Sequence, residues 1–263
     1  LVALPHAGAE VGSTNPVAIE NVGGAGSFVI VCDHASNAFP PEFDSLGLAP
    51  AERTTHIAWD PGALAVSRHL ARVLDAVLVR ATVSRLVIDC NRPLDAPDLV
   101  AVMSEETEIP GNVRLTDAER RHRIAAIHAP YHDAIDRLID ERLAAGRETA
   151  LLAVHSFTPV FRGTARPWQV GIVFDRDRTL ADRLIDGLKA AGVCVGVNEP
   201  YSPADRVYYT MSRHADPRGL SAVMIEIRND LICSETEQAD WAERIGAHLA
   251  SNEASKGSEE PSA

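Results

Sequence analysis

Two histidines, His34 and His155, each close a short apolar run of the chain. Neutral imidazole is the commonest zinc ligand from such positions, and a catalytic zinc takes three protein ligands plus water. A strand-end histidine is also a common hydrogen-bonded structural residue. Two of them, each inside a polar signature, favour ligation. The third ligand rests on Asp60, for which two readings stand side by side: a metal ligand, or the N-cap of a helix opening at Pro61. Asp33 and Asn37 are weaker candidates, and Asp33 would also serve to orient His34. Glu226 lies inside the apolar run Ala222 to Ile227. A buried carboxylate is costly unless paired or coordinated. Facing an activated water, it would act as a general base and then return the proton to a leaving amine. The competing reading is an ion pair with Arg228, two residues on along the same strand face.

A second set of residues could bind an anion. Asn91 and Arg92 follow Asp89 where another apolar run ends. A guanidinium fork grips a carboxylate at two points, which an ammonium does not. Arg162 and Arg166 in the 157–168 loop are second clamps on this reading, with Arg85 and Arg228 further candidates. A surface arginine is the competing reading for each. His122, His128 and His132 fall on a long helical pattern. The last two share a face, but no third ligand accompanies them, so they read as helix-face residues.

Other chemistries leave no trace. There is no Walker A loop, no G-x-G-x-x-G after a strand, no G-x-S-x-G elbow and no H-E-x-x-H helix. The run Gly23-Gly24-Ala25-Gly26 precedes a strand, so it is no phosphate cradle. A net charge of −12 argues against nucleic-acid binding, which needs clustered Lys and Arg. It leaves a small anionic substrate open, because a few arginines reverse the field inside a cleft.

These residues need a scaffold, and 263 residues suffice for one substantial domain without disulfide staples. Phe28 to Cys32, Ala76 to Arg80, Arg85 to Asp89, Ala150 to His155, Gln169 to Phe174 and Ala222 to Ile227 read as strands. Helices are expected over Pro61 to Asp75, from a Thr116–Glu119 capping box to about Ala145, and over 177–191 and 235–250. Pro130 would kink or divide the second. The alternation implies a three-layer α/β/α single domain with a mixed central sheet over 27–250. Residues 1–26 read as a flexible N-terminal segment and 251–263 as a disordered tail. Functional groups of such sheets gather beyond the carboxyl ends of strands, where His34, Asn91-Arg92, His155 and Glu226 all fall. Cys32, Cys90, Cys194 and Cys233 form no CxxC pair and read as buried free thiols of a cytoplasmic protein. No apolar stretch reaches the ~20 residues of a membrane helix, and no secretory signal is expected at the start.

Seven segments in order resemble the N-formylglutamate amidohydrolase family: Cys32-Asp33-His34-Ala35-Ser36-Asn37, His56 to Ala63, Ser84 to Pro93, Ile109 to Asn112, Val154 to Pro159, Asn198 to Tyr201, and Ile225 to Asp230. They run from Val29 to about Trp241. The family is similar, distantly, to zinc carboxypeptidases and aspartoacylases. The resemblance implies a zinc-carboxypeptidase-like fold with one Zn2+ per chain, on His34 and His155. It also implies Asn91 and Arg92 at the substrate carboxylate and Glu226 as base. The carboxypeptidase early motif is H-x-x-E, and Asn37 stands where that Glu would be, so Asp60 is the substitute. The implied activity is amide hydrolysis of a small N-acyl amino acid such as N-formylglutamate, with Arg166 and Arg228 as further substrate contacts. A different acyl group, another divalent metal, or a metal-free carboxylate sensor on the same fold are the alternatives. The oligomeric state is not legible.

Overall fold

The computed structural model describes residues 15–250. Its strands are β1 (Val17–Glu20), β2 (Phe28–Cys32), β3 (Val77–Ala81), β4 (Met103–Ser104), β5 (Thr107–Glu108), β6 (Ala150–Phe157), β7 (Val160–Phe161), β8 (Thr164–Ala165), β9 (Val170–Val173), β10 (Val195–Val197) and β11 (Ala222–Arg228). Seven form one sheet in the order β1-β3-β2-β6-β11-β9-β10, and β4-β5 and β7-β8 are small separate ribbons. The central strands β3, β2, β6 and β11 run parallel, while β1 and β9 are antiparallel to their neighbours β3 and β11. The sheet is therefore mixed, as expected. Its parallel strands are covered on both faces, which is why they read as unbroken apolar runs.

The helices are α1 (Ala63–Val73), α2 (Asp117–Arg123), α3 (Ala129–Ala144), α4 (Thr179–Ala190), α5 (Tyr209–His214) and α6 (Glu235–Leu249). Alternation along β2 divides the core in two. Val29 and Val31 pack with Tyr131, Ile135 and Ile139 of α3. Phe28, Ile30 and Cys32 pack on the other face with Leu70 of α1, Leu184 of α4 and Ile245 of α6. The result is the three-layer α/β/α domain.

Several local expectations are corrected. Arg85 to Asp89 is not a strand but a run of turns, with the Val87 N–H bonded to Ser84 O and the Asp89 N–H to Leu99 O. Leu86, Val87 and Ile88 are buried in the first core without joining the sheet. The helix after Asp60 begins at Ala63, capped by Gly62 at φ 83°; a Cβ there would strike Ile232, so the turn needs glycine. The Asp60 side chain caps nothing and is free to point elsewhere. The Thr116–Glu119 capping box forms. The long helix is divided by a π-turn over Ile124–His128, two residues ahead of Pro130, whose missing N–H cannot continue the ladder. Val17–Glu20, inside the segment read as loose, forms β1 on the edge of β3. Residues 1–14 of that segment and the tail 251–263 lie outside the described residues. All four cysteines are free, but only Cys32 and Cys90 are buried; Cys194 and Cys233 are exposed. Among the described residues no helix is long and apolar enough to cross a membrane.

Candidate metal centre and cleft

Three neighbouring strand ends build the site. β2 delivers Asp33 and His34, β6 delivers His155, and β11 delivers Glu226, which pairs in register with His155. The turn before Gly62 adds Asp60. On the far side of β11, Glu226 faces Gly171 of β9; a Cβ at Gly171 would collide with the Glu199 carbonyl. That glycine lets the 199–201 loop approach and places Tyr201 beside Glu226.

His34, Asp60 and His155 are all buried, and each offers one ligand atom within 4.8 Å of the others. They converge on Asp60 Oδ2, which lies 3.3 Å from His34 Nδ1 and 2.9 Å from His155 Nδ1. The two outer ring nitrogens are each held by a further carboxylate. His34 Nε2 is 2.7 Å from Asp89 and His155 Nε2 is 3.1 Å from Asp33. Asp33 thus orients His155 rather than His34, and Asp89 does the work expected of Asp33. Thr210 Oγ1 donates to the other Asp33 oxygen at 2.7 Å. Carboxylates behind histidines fix the ring and raise its basicity, the usual support of a metal site. Burial works against the charged forms here. The ion pairs outweigh it, holding Asp60 and Asp89 below the usual carboxylate range and His155 well above the usual imidazole value.

Glu226 has the opposite environment. It is 5% exposed, and among the described residues its Oε2 finds no hydrogen-bond partner. Burial pushes its carboxyl up to about 7, with the attraction of His155 offset by the repulsion of Asp60. The competing ion pair does not form, since Arg228 bonds Asp230 at 2.8 Å. Asn37 is likewise engaged away from the centre, donating to Arg53 O.

Beside the centre opens a cavity of about 240 Å³ that touches Asp60, Arg85, Asp89, Arg92, Ser156 and Tyr201. His56 and Glu105 pair at its wall, 3.0 Å apart. The arginines divide clearly. Arg85 bridges Asp89 (2.9 Å), His34 Nδ1 (3.2 Å) and Asp60 (3.5 Å). Arg92 lines the cavity with Asp98 at 2.7 Å. Arg228 is tied to Asp230 and to the Arg166 carbonyl. Arg166 is 8% exposed, and among the described residues no carboxylate pairs with it. Its guanidinium lies over the rings of Phe161 (4.5 Å), Tyr201 (5.0 Å) and Phe157 (5.6 Å) and donates to the Tyr201 hydroxyl at 3.2 Å. It lines a second hollow that shares Phe161 and Tyr201 with the cavity. Asn91 is not brought to either space: its amide donates to Val207 O and its oxygen accepts from the Thr210 N–H.

The model of the N-formylglutamate amidohydrolase family matches residues 26–233, which span every residue of this centre. The chain belongs to the N-formylglutamate amidohydrolase family. A gene product of Agrobacterium tumefaciens, Atu2144, has a similar solved structure. It is 46% identical with a TM-score of 0.88, over 91% of this chain and 96% of that one. An N-formylglutamate amidohydrolase from Ralstonia eutropha JMP134 shares the fold of the family at 21% identity and a TM-score of 0.69, over 92% and 99% of the two chains. No curated protein matches. Family membership makes this chain an amidohydrolase, and its His34–Asp60–His155 group has the make-up to hold a metal ion. Sequence reasoning overlooked Asp89. Its signal was its place two residues before Asn91, at the end of an apolar run.

Proposed function

We propose that this chain is a metal-dependent hydrolase that cleaves the amide bond of a small N-acyl amino acid such as N-formylglutamate. The carrying observation is the unpartnered, buried Glu226 Oε2 beside the His34–Asp60–His155 group. A carboxyl poised near neutrality suits proton transfer at working pH. The donor set of two imidazoles and one carboxylate, each imidazole backed by a second carboxylate, fits a catalytic zinc. When bound there, zinc supplies a Lewis acid that lowers the pKa of water toward ~7.

The protein's own groups then divide the work. Asp89 and Asp33 hold the rings of His34 and His155 so that both Nδ1 atoms face Asp60. Glu226 takes a proton from water at Oε2 and returns it to the leaving nitrogen. Arg166 binds the substrate carboxylate, because a buried guanidinium without a counter-ion gains most from one. Its aromatic surroundings keep water away and its fork at a fixed angle. Arg92 and Arg85, on the cavity wall, are placed for a second carboxylate or the acyl oxygen. Arg228 supports Arg166 through its carbonyl, and Asn91 anchors the loop from which Arg92 projects.

Elemental analysis of freshly purified protein, beside His155→Ala, tests the reading. About one zinc per chain is expected, lost in the variant, with hydrolysis of N-formyl, N-acetyl or N-succinyl glutamate by the wild type. No metal in either protein, or metal without turnover of any N-acyl amino acid, overturns it.

A further inference from the structure

Beneath the segment from Asp89 to Arg92 lies a group of histidines that the proposed reaction does not use. His128, His132 and His214 are 1%, 0% and 0% exposed, so the helix face that carries the first two is turned into the core. His128 Nε2 meets the Arg92 carbonyl at 3.0 Å, and His132 Nε2 meets the Cys90 carbonyl at 2.9 Å. His132 Nδ1 is 2.8 Å from His214 Nε2, and His214 Nδ1 is 2.9 Å from Asp136 Oδ1. The π-turn over Ile124–His128 carries His128, and His132 follows one turn later on α3. α5 carries His214 together with Thr210, whose hydroxyl bonds Asp33.

The Cys90 carbonyl and the Asp136 carboxylate can only accept, so His132 must carry a hydrogen on Nε2 and His214 one on Nδ1. The contact between the rings needs a third. Three ring hydrogens on two imidazoles make one imidazolium. Asp136 is ionised to match it: His214 and Arg218, the latter 2.9 Å away, outweigh burial and lower its carboxyl, and Arg213 lies 3.8 Å off. Other groups face the pair from each side. His128, Tyr131 and Tyr209 pack on the His132 ring, and the charges of Arg213 and Asp33 reach both histidines. Burial, with the neighbouring histidines and Arg213, pushes His132 well below the ordinary histidine value, and burial with Arg213 lowers His214, so the third hydrogen is held loosely.

We propose that His132 and His214 are positioning residues: the one proton they share closes a relay from Asp136 to the Cys90 carbonyl and so fixes the loop that carries Asp89 and Arg92. When that proton leaves, two bare nitrogens face each other and the rings part. The loop then loses one of its two histidine anchors. The kinetic consequence rests on the amidohydrolase reading; the shared proton rests on the hydrogen-bond geometry alone.

The test uses the full chain labelled with 15N-histidine, as wild type, Asp136→Asn and Asp136→Glu. Ring spectra are recorded between about pH 4 and 8, reaching well below the ordinary histidine value. In the wild type, His132 and His214 share three exchange-protected hydrogens at the acid end and lose the third together. The backbone amides of Cys90 to Arg92 shift in the same titration. Asp136→Asn lacks the third hydrogen throughout and the amides no longer titrate, while Asp136→Glu restores both. In steady-state assays, KM of the wild type rises with that titration. In Asp136→Asn it is raised about tenfold at the acid end and flat, with kcat within about twofold and metal content unchanged. Two neutral rings across the whole range overturn the proposal, as does a wild-type loop whose amides ignore the titration. If the wild type turns over no N-acyl amino acid, the functional reading fails alone, and the spectra still decide this one.

Discussion

Glu226→Gln separates the cost of burying the proposed base from its use. In the metal-free protein, burial raises this carboxyl from 4.5 to about 7. At ~1.4 kcal/mol per pH decade, that corresponds to about 3 kcal/mol of stability. The sign follows from the direction. The folded state holds the proton more tightly than the unfolded chain, so below about pH 4.5 the group costs nothing. The cost grows between about 4.5 and 7 and is complete above about 7. Glutamine removes this pH dependence and adds a buried amide whose own cost, ~1–3 kcal/mol, is the same at every pH. Urea denaturation of wild type and variant, both in chelator, is the assay. The stability of the variant relative to wild type should climb by about 3 kcal/mol from about pH 4.5 to 8. With metal restored, the variant should still bind it but lose turnover by ~10²–10⁴-fold. A pH-independent stability difference would refute the buried-carboxyl argument. Turnover within a few-fold of wild type would refute the assignment as base.

Three further outcomes follow from the same geometry. Arg166→Gln should raise KM for a carboxylate substrate about a hundredfold, within the ~2–5 kcal/mol expected for truncating one partner of a buried charge pair; an uncharged amide analogue of the substrate should show no such loss. Asp33→Asn should weaken metal binding ~10–100-fold by calorimetry, because His155 loses the carboxylate behind Nε2. Arg85 lies 2.9 Å from Asp89, 3.5 Å from Asp60 and 3.2 Å from His34 Nδ1, a cation on the carboxylates that a metal would also neutralise. Arg85→Gln should therefore lower the melting temperature of the chelated protein, where Asp60 and Asp89 lose a cation, and narrow that gap once zinc is added.

Much of the site was legible in the sequence because its residues interrupt patterns that folding alone does not require. A glutamate within Ala222–Ile227 and histidines at the ends of apolar runs stand out against buried strands. The order of those strands is what only the tertiary structure decides. β2, β6 and β11 are far apart in the chain yet adjacent in the sheet, and this adjacency sets His34, His155 and Glu226 side by side. Asp60 shows the limit of local reasoning. Its spacing before Pro61 suits a helix cap, but the positive-φ Gly62 takes that place and two imidazoles capture the carboxylate. Arg85 to Asp89 is apolar enough for a strand, yet it folds as turns buried in the first core, its Asp89 N–H bonded to the distant Leu99 carbonyl. Asn91 and Arg92 are neighbours in the motif, but one side chain anchors the loop and the other reaches the cavity. Arg166 is one of several arginines the sequence offers as clamps, and nothing local sets it apart from the others. An arginine is a surface residue or an anion seat according to whether a carboxylate meets it, and that is a property of packing, which the sequence does not spell out. Residue types and their order therefore determined the family and the chemistry available. Burial and partner choice, which depend on contacts distant in the chain, decided which carboxylates pair with the two imidazoles and which one stands apart from them.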